Sequence, residues 1–142
     1  MKQRIFTILL SIFSFLYAWG DAIGTWKIYP SYSDVSDIVP TGKEVFVLAS
    51  KSLYSYNVND GSLRTYSNND VLNGCNIQNI AWVNAAKKLV ITYSDYTIDL
   101  LSPNGDVENI SALADKQTTD DKTINSIYVD GQYAYLATGF GI

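Results

Sequence analysis

The sequence contains no histidine, one cysteine and three prolines in 142 residues. Without histidine, the commonest metal ligand, the usual general base at neutral pH and the Ser-His-Asp and Cys-His arrangements are all missing. No glycine-rich phosphate loop and no CxxC pair occurs. The carboxylates of Asp120 and Asp121 lie in the polar stretch KQTTDDKT, which is typical of a solvated loop rather than of an acid–base pair. The sequence therefore predicts a non-enzymatic protein without catalytic, metal or cofactor-binding residues.

Two further segments, NVNDGS and NNDVLNG, carry oxygen ligands that calcium can use, but neither has the spacing of a twelve-residue calcium loop. Their Asn, Asp and Gly residues favour turns. The single cysteine, Cys75, excludes an intrachain disulfide and lies far from the N-terminus, where a lipid-modified cysteine would be found. In NGCNIQNI it is expected to open a strand as a small buried apolar residue, and the alternative is a reactive thiol.

Positive charge is also scarce, with 10 Lys and Arg against 14 Asp and Glu and a formal net charge of −4. Loss of residues 1–22 would remove Lys2, Arg4 and Asp21 and bring the charge to −5. A partner with a phosphate backbone needs a basic patch that releases counterions. We therefore expect no nucleic-acid partner.

The N-terminus has no apolar run long enough to span a membrane. Its run from Ile5 to Leu16 is about 12 residues, whereas a spanning helix needs about 20. Lys2 and Arg4 precede the run, and the small residues Gly20 and Ala22 follow it. This pattern predicts a signal peptide over 1–22 with cleavage near Ala22; cleavage after Ala18 and a retained anchor are the alternatives. We expect an exported protein in the periplasm, at the outer-membrane surface or outside the cell.

What the sequence does contain is a repeat. Ile38, Ile80 and Ile127 lie at matching positions, 42 and 47 residues apart, and a four-stranded propeller blade is about 40 to 50 residues long. Short segments rich in Val, Ile, Leu and Tyr predict strands, and Asp60-Gly61, Asn104-Gly105 and Asp130-Gly131 predict hairpin turns. The predicted strands are 35–39, 45–49, 53–58 and 63–66 in the first unit, 77–83, 89–93, 97–101 and 107–110 in the second, and two more from Ile124 onward.

The segment GTWKIY at Gly24 to Tyr29 matches GSLRTY at Gly61 to Tyr66, so it is predicted to be an outermost strand without the rest of its blade. Only a short helical turn is expected, around Ala112. The fold class is thus all-β, a partial β-propeller with one orphan first strand, two four-stranded blades and half of a third. Residues 23–142 are predicted to form one incomplete N-terminal propeller domain, and we expect it to belong to a larger closed ring, since propellers use typically 4 to 8 blades. A complete small β-sandwich is the alternative.

The entry segment IGTWKIYPSYSDVSDIVPTGKEVFVLA and the blade segment from Glu44 to Leu101 resemble the N-terminal propeller of PorZ-like proteins of the Bacteroidetes, which are associated with type IX secretion. The resemblance implies a surface binding or scaffold protein with further blades, a C-terminal domain and protein partners at the cell surface. AYLATGFGI, from Ala134 to Ile142, is similar to the periplasmic propellers of two-component regulators. That resemblance implies a ligand sensor with a membrane helix and a kinase downstream. A lyase- or hydrolase-type propeller is a third alternative, and it predicts carboxylates and aromatics that converge on the central channel.

Eleven tyrosines, with Trp26 and Trp82, are the remaining unusual feature. Aromatic faces stack on sugar rings, so a glycan or a lipopolysaccharide sugar is the expected ligand class. Most of these residues are also suited to packing between blades, and this is predicted for Tyr56, Tyr93, Tyr128 and Tyr135. Tyr32, Tyr96 and Tyr133, near turns, are weaker surface candidates, and the ligand-binding residues stay unknown at this point.

Overall fold

The structure, a computed structural model, describes Ser31 and residues 33–142. The predicted signal peptide at 1–22, the predicted orphan strand at Gly24 to Tyr29 and Tyr32 lie outside the described residues. The described part contains ten strands in three antiparallel sheets and one helical turn. None of its helices has the length and hydropathy needed to span a membrane.

Each sheet is a meander in which consecutive strands pair, so strand order follows chain order. We call β1–β4 the first blade, β5–β8 the second blade and β9–β10 the half-blade. The strands are β1 (Val35–Pro40), β2 (Glu44–Ala49), β3 (Ser52–Asn57), β4 (Leu63–Tyr66), β5 (Ile77–Val83), β6 (Lys88–Tyr93), β7 (Ile98–Leu101), β8 (Val107–Ile110), β9 (Ile124–Asp130) and β10 (Tyr133–Thr138), and the helix is α1 (Ala112–Asp115). These bounds confirm every strand predicted for the described residues, and the short helix lies where it was expected.

Turn chemistry explains why the chain reverses where it does. Gly61 and Gly105 have φ angles of 73° and 95° in the β3–β4 and β7–β8 connections, a backbone conformation that favours glycine. The β2–β3 turn contains no glycine, but its residues Ser50 and Lys51 also have positive φ angles, of 47° and 61°. Two successive positive φ angles match the right-handed twist of a two-residue hairpin, so this turn joins its strands without splaying them.

The blades stack face to face, with β5 beside β1 on one side and beside β9 on the other. We call the face that carries Ile38, Ile80 or Ile127 the front face of each blade, and the opposite face the back face. The back face of the first blade packs on the front face of the second in a buried cluster of Phe46, Leu48, Leu53, Tyr66, Leu72, Ile77, Ile80, Leu89, Ile91, Tyr93 and Leu101. A smaller cluster, with Val83, Val90, Ile98 and Ile124, joins the second blade to the half-blade.

The second blade is therefore covered on both faces, which accounts for the near-continuous apolar sequence KLVITY of β6. Its side chains alternate between the two clusters: Leu89 and Ile91 face the first blade, while Val90 faces the half-blade. Antiparallel meanders stacked in this way are blades of a propeller rather than the two facing sheets of a sandwich. The partial-propeller prediction is confirmed, and the sandwich alternative does not fit.

The burial expected for Cys75 is wrong. The thiol-bearing residue is exposed, in the loop before β5. Asn76 follows it with a φ of 58°, so the chain turns sharply there and enters the strand only at Ile77. A residue outside the strand takes no part in its alternation of buried and exposed positions.

Among the four tyrosines expected between blades, only Tyr93 is buried, at 1% exposure. Tyr56, Tyr128 and Tyr135 do lie on strands, but they are 43%, 70% and 43% exposed. Tyr56 is on the front face of the first blade, and the other two are on the back face of the half-blade. No described blade covers either of these faces, so the interpretation as between-blade packing fails for these three within the described residues.

Candidate functional site

The aspartates that the sequence offered as acid–base or calcium-binding candidates accept hydrogen bonds from neighbouring residues in turns. Asp121 Oδ1 accepts hydrogen bonds from the Thr123 hydroxyl and backbone N–H at 2.6 and 2.9 Å, and Asp120 Oδ2 accepts one from Thr118. The hydroxyl bond, followed by the backbone bond, lowers the pKa of Asp121. Asp60 in NVNDGS is held the same way by Ser62, which lowers its pKa. The lowered pKa values keep Asp60 and Asp121 ionised at neutral pH, so these two exposed turn residues do not act as proton donors.

Across the described residues, no group of three or more Cys, Asp or Glu side chains is placed to hold a metal ion. Among the hollows of the described residues, two lie between the first and second blades, at opposite ends of the strands. We call them the upper cleft, beside the β2–β3 turn and the loop that joins the two blades, and the lower groove, beside the β1–β2, β5–β6 and β7–β8 turns. Another, of about 440 Å³, lies on the back face of the half-blade beside Tyr128 and Tyr135.

The upper cleft has a volume of about 240 Å³. Its apolar lining comes from Tyr66, Leu72 and Ile77, and its rim is made of hydroxyls, amides, the exposed Cys75 and the ammonium of Lys51. The rim is fixed by the backbone, because Ile77 N–H donates to Lys51 C=O at 3.3 Å and Ser94 N–H donates to Asn76 C=O at 3.2 Å. It is a rigid and small hollow.

The loop of residues 67–76 that borders this cleft is anchored by a buried carboxylate. Asp99, on β7, has 0% exposure. Its Oδ2 accepts from Tyr93 Oη at 2.7 Å and from Asn73 N–H at 2.8 Å, and its Oδ1 accepts from Asn109 Nδ2 at 2.8 Å and from Asn73 Nδ2 at 3.0 Å. Four donors replace the water that a buried carboxylate loses, so the charge is satisfied without a cation. Asp99 is a structural anchor that ties the inter-blade loop to the second blade.

Tyr93 is the second part of this anchor. Burial, and next the hydrogen bond to Asp99, raise the pKa of its hydroxyl far above the ordinary tyrosine range. The loop passes directly over the ring: a Cβ added to Gly74 would lie 2.6 Å from the ring carbon Cγ. Glycine is thus needed at 74 for close approach rather than for a left-handed backbone.

The lower groove is larger, about 490 Å³, which lies within the range of about 300 to 1,000 Å³ typical of small-molecule sites, whereas the upper cleft lies below it. Its aromatic part is Trp82, half-buried and stacked on Phe46 with ring centroids 6.5 Å apart. Ten residues line it: Thr41, Lys43, Glu44, Phe46, Asn57, Trp82, Lys87, Leu101, Ser102 and Pro103. A flat ring bordered by hydroxyl, amide, carboxylate and ammonium groups can stack on a sugar and bind its hydroxyls.

Backbone and side-chain hydrogen bonds hold the walls of the lower groove. Thr41 N–H and Oγ1 both donate to Glu44 C=O, at 2.8 and 2.9 Å, and Val58 N–H donates to Lys43 C=O at 3.1 Å. On the other wall, Lys87 Nζ donates to Asn84 Oδ1 at 2.6 Å. The groove is preformed, which lowers the conformational cost of binding.

The tyrosines proposed as surface candidates do not line this groove. Tyr96, half-buried with a φ of 69°, belongs to the β6–β7 turn at the other end of the second blade. Tyr133, 59% exposed, lies beside Tyr135 on the half-blade with ring centroids 6.3 Å apart. Sequence reasoning named Trp82 only as part of the aromatic content, and it missed the polar residues that surround it, because they come from separate turns.

Comparison with known proteins identifies the architecture. The family described as "TSS9, PorZ, N-terminal beta-propeller domain" matches residues 45–142. A search of curated proteins finds no match. Among solved structures, PorZ of Porphyromonas gingivalis, described as an essential bacterial surface component of the type-IX secretion system, shares 34% identity over 83% of this chain, with a TM-score of 0.76. The chain spans 16% of the length of that protein.

A second solved structure is the extracellular domain of a protein described as a one-component system of B. thetaiotaomicron. It has a TM-score of 0.60 and covers 80% of this chain, which spans 15% of its length. At 19% identity this likeness shows the shared fold alone.

Proposed function

The chain belongs to the PorZ N-terminal β-propeller family, and from this premise we propose that it is a non-enzymatic propeller segment of an exported surface binding or scaffold protein linked to type IX secretion. The observation that carries the proposal is the family match over residues 45–142, together with a 34% identical relative that is itself a surface component of that system. The carboxylates of Asp60, Asp120 and Asp121 accept hydrogen bonds from neighbouring turn residues, which favours a binding role over a catalytic one.

We further propose that the lower groove binds a sugar of a surface glycan or lipopolysaccharide. The support is geometric: a half-buried indole, a preformed polar rim and a volume suited to one or two sugar rings. Lys43 and Lys87, both exposed at the rim, outnumber Glu44, the one acidic residue of the lining, and therefore favour a sugar that carries a negative charge.

Binding is tested with the full-length exported protein on an array of neutral and anionic glycans and with purified lipopolysaccharide. Trp82→Ala is expected to weaken binding at least about tenfold, because it removes the aromatic anchor. Since Trp82 also packs on Phe46, the double variant Lys43→Ala, Lys87→Ala is a second probe that leaves the core intact. Tyr96→Ala, outside the groove, is the matched control. Equal binding by all four proteins would exclude the groove as the sugar site.

The surface role is tested by deleting the gene in the bacterium that carries it. Type IX cargo is expected to accumulate inside the cell and to return to the surface with the wild-type gene. The mature protein is expected to be accessible to external protease and to begin near residue 23 by mass measurement. Normal cargo display in the deletion strain would refute the secretion link, and an intact N-terminus would refute the signal peptide.

The alternative is a periplasmic ligand-sensing propeller of a hybrid two-component regulator. The shared fold of the one-component extracellular domain is the observation that keeps it open. It predicts a membrane helix and a kinase in the coding sequence after Ile142, whereas the scaffold proposal predicts further blades and a C-terminal domain. Reading that sequence decides between the two.

A further inference from the structure

The upper cleft lies between two four-stranded blades and has a chemistry different from that of the lower groove. The β2–β3 turn provides Ser50 and Lys51, the strands that follow provide Ser52 and Thr65, and the loop of residues 67–76 closes the other side. The floor of the cleft is apolar, and its rim is polar. None of the described residues that line it also lines the lower groove, so an inference about this cleft does not depend on the sugar site.

Hydroxyl groups on the rim of the cleft have no hydrogen-bond partner within the described part of the chain. They belong to Ser50, Ser52, Thr65 and Ser67. In other turns of the protein, hydroxyls donate to a neighbouring carboxylate, as Thr97 does to Asp95 and Thr123 does to Asp121, both at 2.6 Å. The rim hydroxyls have no such acceptor and can therefore donate to a ligand.

The charge on the rim is positive. Lys51 is exposed, and the ion pair found among the described residues joins Lys88 to Glu108 instead. No Asp or Glu occurs among the described residues that line the cleft, although Asp70 belongs to the same loop. The whole chain has a formal net charge of −4, so a cleft with an ammonium and no carboxylate differs from the rest of the surface. A positive cleft with low-dielectric walls attracts anions.

The size of the cleft and its floor restrict the kind of anion. A volume of about 240 Å³ is below the range of about 300 to 1,000 Å³ typical of small-molecule sites, so the cleft suits one charged group rather than an extended ligand. The floor residues Tyr66, Leu72 and Ile77 are buried. Apolar atoms beneath the rim lower the local dielectric, which strengthens the attraction between an ammonium and an anion.

Backbone hydrogen bonds hold the rim donors in place before any ligand binds. The Ser67 C=O accepts from the backbone N–H groups of residues 70–72 at 3.0 to 3.1 Å, which makes a tight turn in the loop. The bond from Ile77 N–H to Lys51 C=O fixes the β2–β3 turn against the end of the same loop. Because the donors are already positioned, binding costs little conformational entropy.

We propose that the upper cleft binds a tetrahedral oxyanion of the phosphate or sulfate type, as the free ion or as a monoester of a short organic group. Lys51 supplies the positive charge, and the rim hydroxyls donate hydrogen bonds to the oxygens. A phosphate monoester presents three strong acceptor oxygens, whereas a carboxylate presents two. The tetrahedral group thus uses more of the rim donors, and charge-assisted bonds of this kind are the stronger ones.

Binding is measured with the full-length exported protein and three separate anions at constant ionic strength: inorganic phosphate, inorganic sulfate and methyl phosphate. Calorimetry gives the affinity, and the rate at which uncharged iodoacetamide alkylates Cys75 reports where the anion binds. Because Cys75 lies on the rim, a bound anion is expected to slow alkylation in a saturable way. Tighter binding of methyl phosphate than of inorganic phosphate would assign the site to a monoester, and equal binding would assign it to the free ion.

Variants separate a specific site from general attraction to charge. Lys51→Gln removes the ammonium but keeps the backbone carbonyl that accepts from Ile77, and it should weaken binding at least about tenfold. Thr65→Val removes one hydroxyl at nearly constant volume and should weaken binding about threefold. Lys116→Gln, an exposed lysine outside the cleft, removes the same charge and is the matched control, which should bind like the wild type.

Three results would overturn the proposal. One is the absence of saturable binding of all three anions to the wild type. Another is unchanged affinity in Lys51→Gln, and the third is an equal loss of affinity in Lys51→Gln and Lys116→Gln, which would show that only the overall charge matters.

Discussion

Replacement of the buried Asp99 carboxylate tests how the two blades are held together. In Asp99→Ala, the hydroxyl of Tyr93 and the amides of Asn73 and Asn109 lose the oxygens that accept their four hydrogen bonds. Tyr93 is 1% exposed, so water cannot readily replace the lost acceptor. The loop that borders the upper cleft also loses its link to β7.

The size of the effect follows from the donors left behind. The buried Tyr93 hydroxyl left without a partner costs about 1 to 3 kcal/mol, whereas water can reach the donors of the exposed Asn73 and Asn109, and relief of the desolvated charge offsets part of the sum. We expect Asp99→Ala to lower the free energy of unfolding by about 2 to 3 kcal/mol, a large share of the stability of a small domain. Asp99→Asn keeps one acceptor oxygen but turns an amide N–H₂ toward two donors, so a loss of about 2 kcal/mol is expected. Tyr93→Phe removes one bond only and should cost about 1 kcal/mol.

Urea unfolding of the exported chain, followed by tryptophan fluorescence and circular dichroism at one protein concentration, gives these values; concentration is fixed because association changes apparent stability. Asp95→Asn, an exposed carboxylate in the neighbouring turn, is the control. If Asp99→Ala costs no more than this control, the carboxylate is not an anchor. A double variant of Asp99 and Tyr93 that costs the full sum of the singles would show that the two groups do not act together.

Three further predictions concern the same loop and two titrating groups. Gly74→Ala should cost about 2 kcal/mol in a urea melt, because its Cβ meets the Tyr93 ring at 2.6 Å, whereas Gly131→Ala, with a φ of 57° and open space, should cost about 1 kcal/mol. Because burial and then Asp99 raise the pKa of Tyr93 above its model-compound value of 10.0, the folded state keeps this proton where the unfolded state releases it. Stability should therefore fall as pH rises above about 10, and Tyr93→Phe should lessen that fall. Thr123→Val should raise the Asp121 pKa back toward 3.8 in an NMR titration, and an unchanged midpoint would contradict the assigned cause.

The strands and turns could be predicted from sequence because their signals are local. An alternating or continuous apolar segment and an Asp-Gly or Asn-Gly pair each determine the structure of the residues that contain them. Burial of the tyrosines could not be predicted in this way, because it does not depend on local sequence alone. Tyr93 and Tyr135 both lie on strands, but only the presence of a neighbouring blade makes one buried and the other exposed.

The lower groove was unpredictable for a related reason. Thr41, Asn57, Trp82 and Ser102 lie in different turns and strands, and only the stacking of two blades brings them together. The Asp99 anchor carries a clearer sequence signal, because Asp99 interrupts the apolar run IDLL in the middle of a predicted strand. A carboxylate at such a position must be either exposed or fully hydrogen-bonded, and the second case applies here.

The two-sided covering of the second blade has a consequence for synthesis on the ribosome. The first blade leaves the exit tunnel as a complete sheet. The side chains of Phe46, Leu48 and Leu53 on its back face stay exposed to water until β5 and β6 have emerged. Newly made blades thus pass through an interval in which a finished hydrophobic face has no cover, and such surfaces attract chaperones or aggregate. Translation speed through residues 67–93 therefore becomes a determinant of yield, and slow codons in this segment should increase the insoluble fraction.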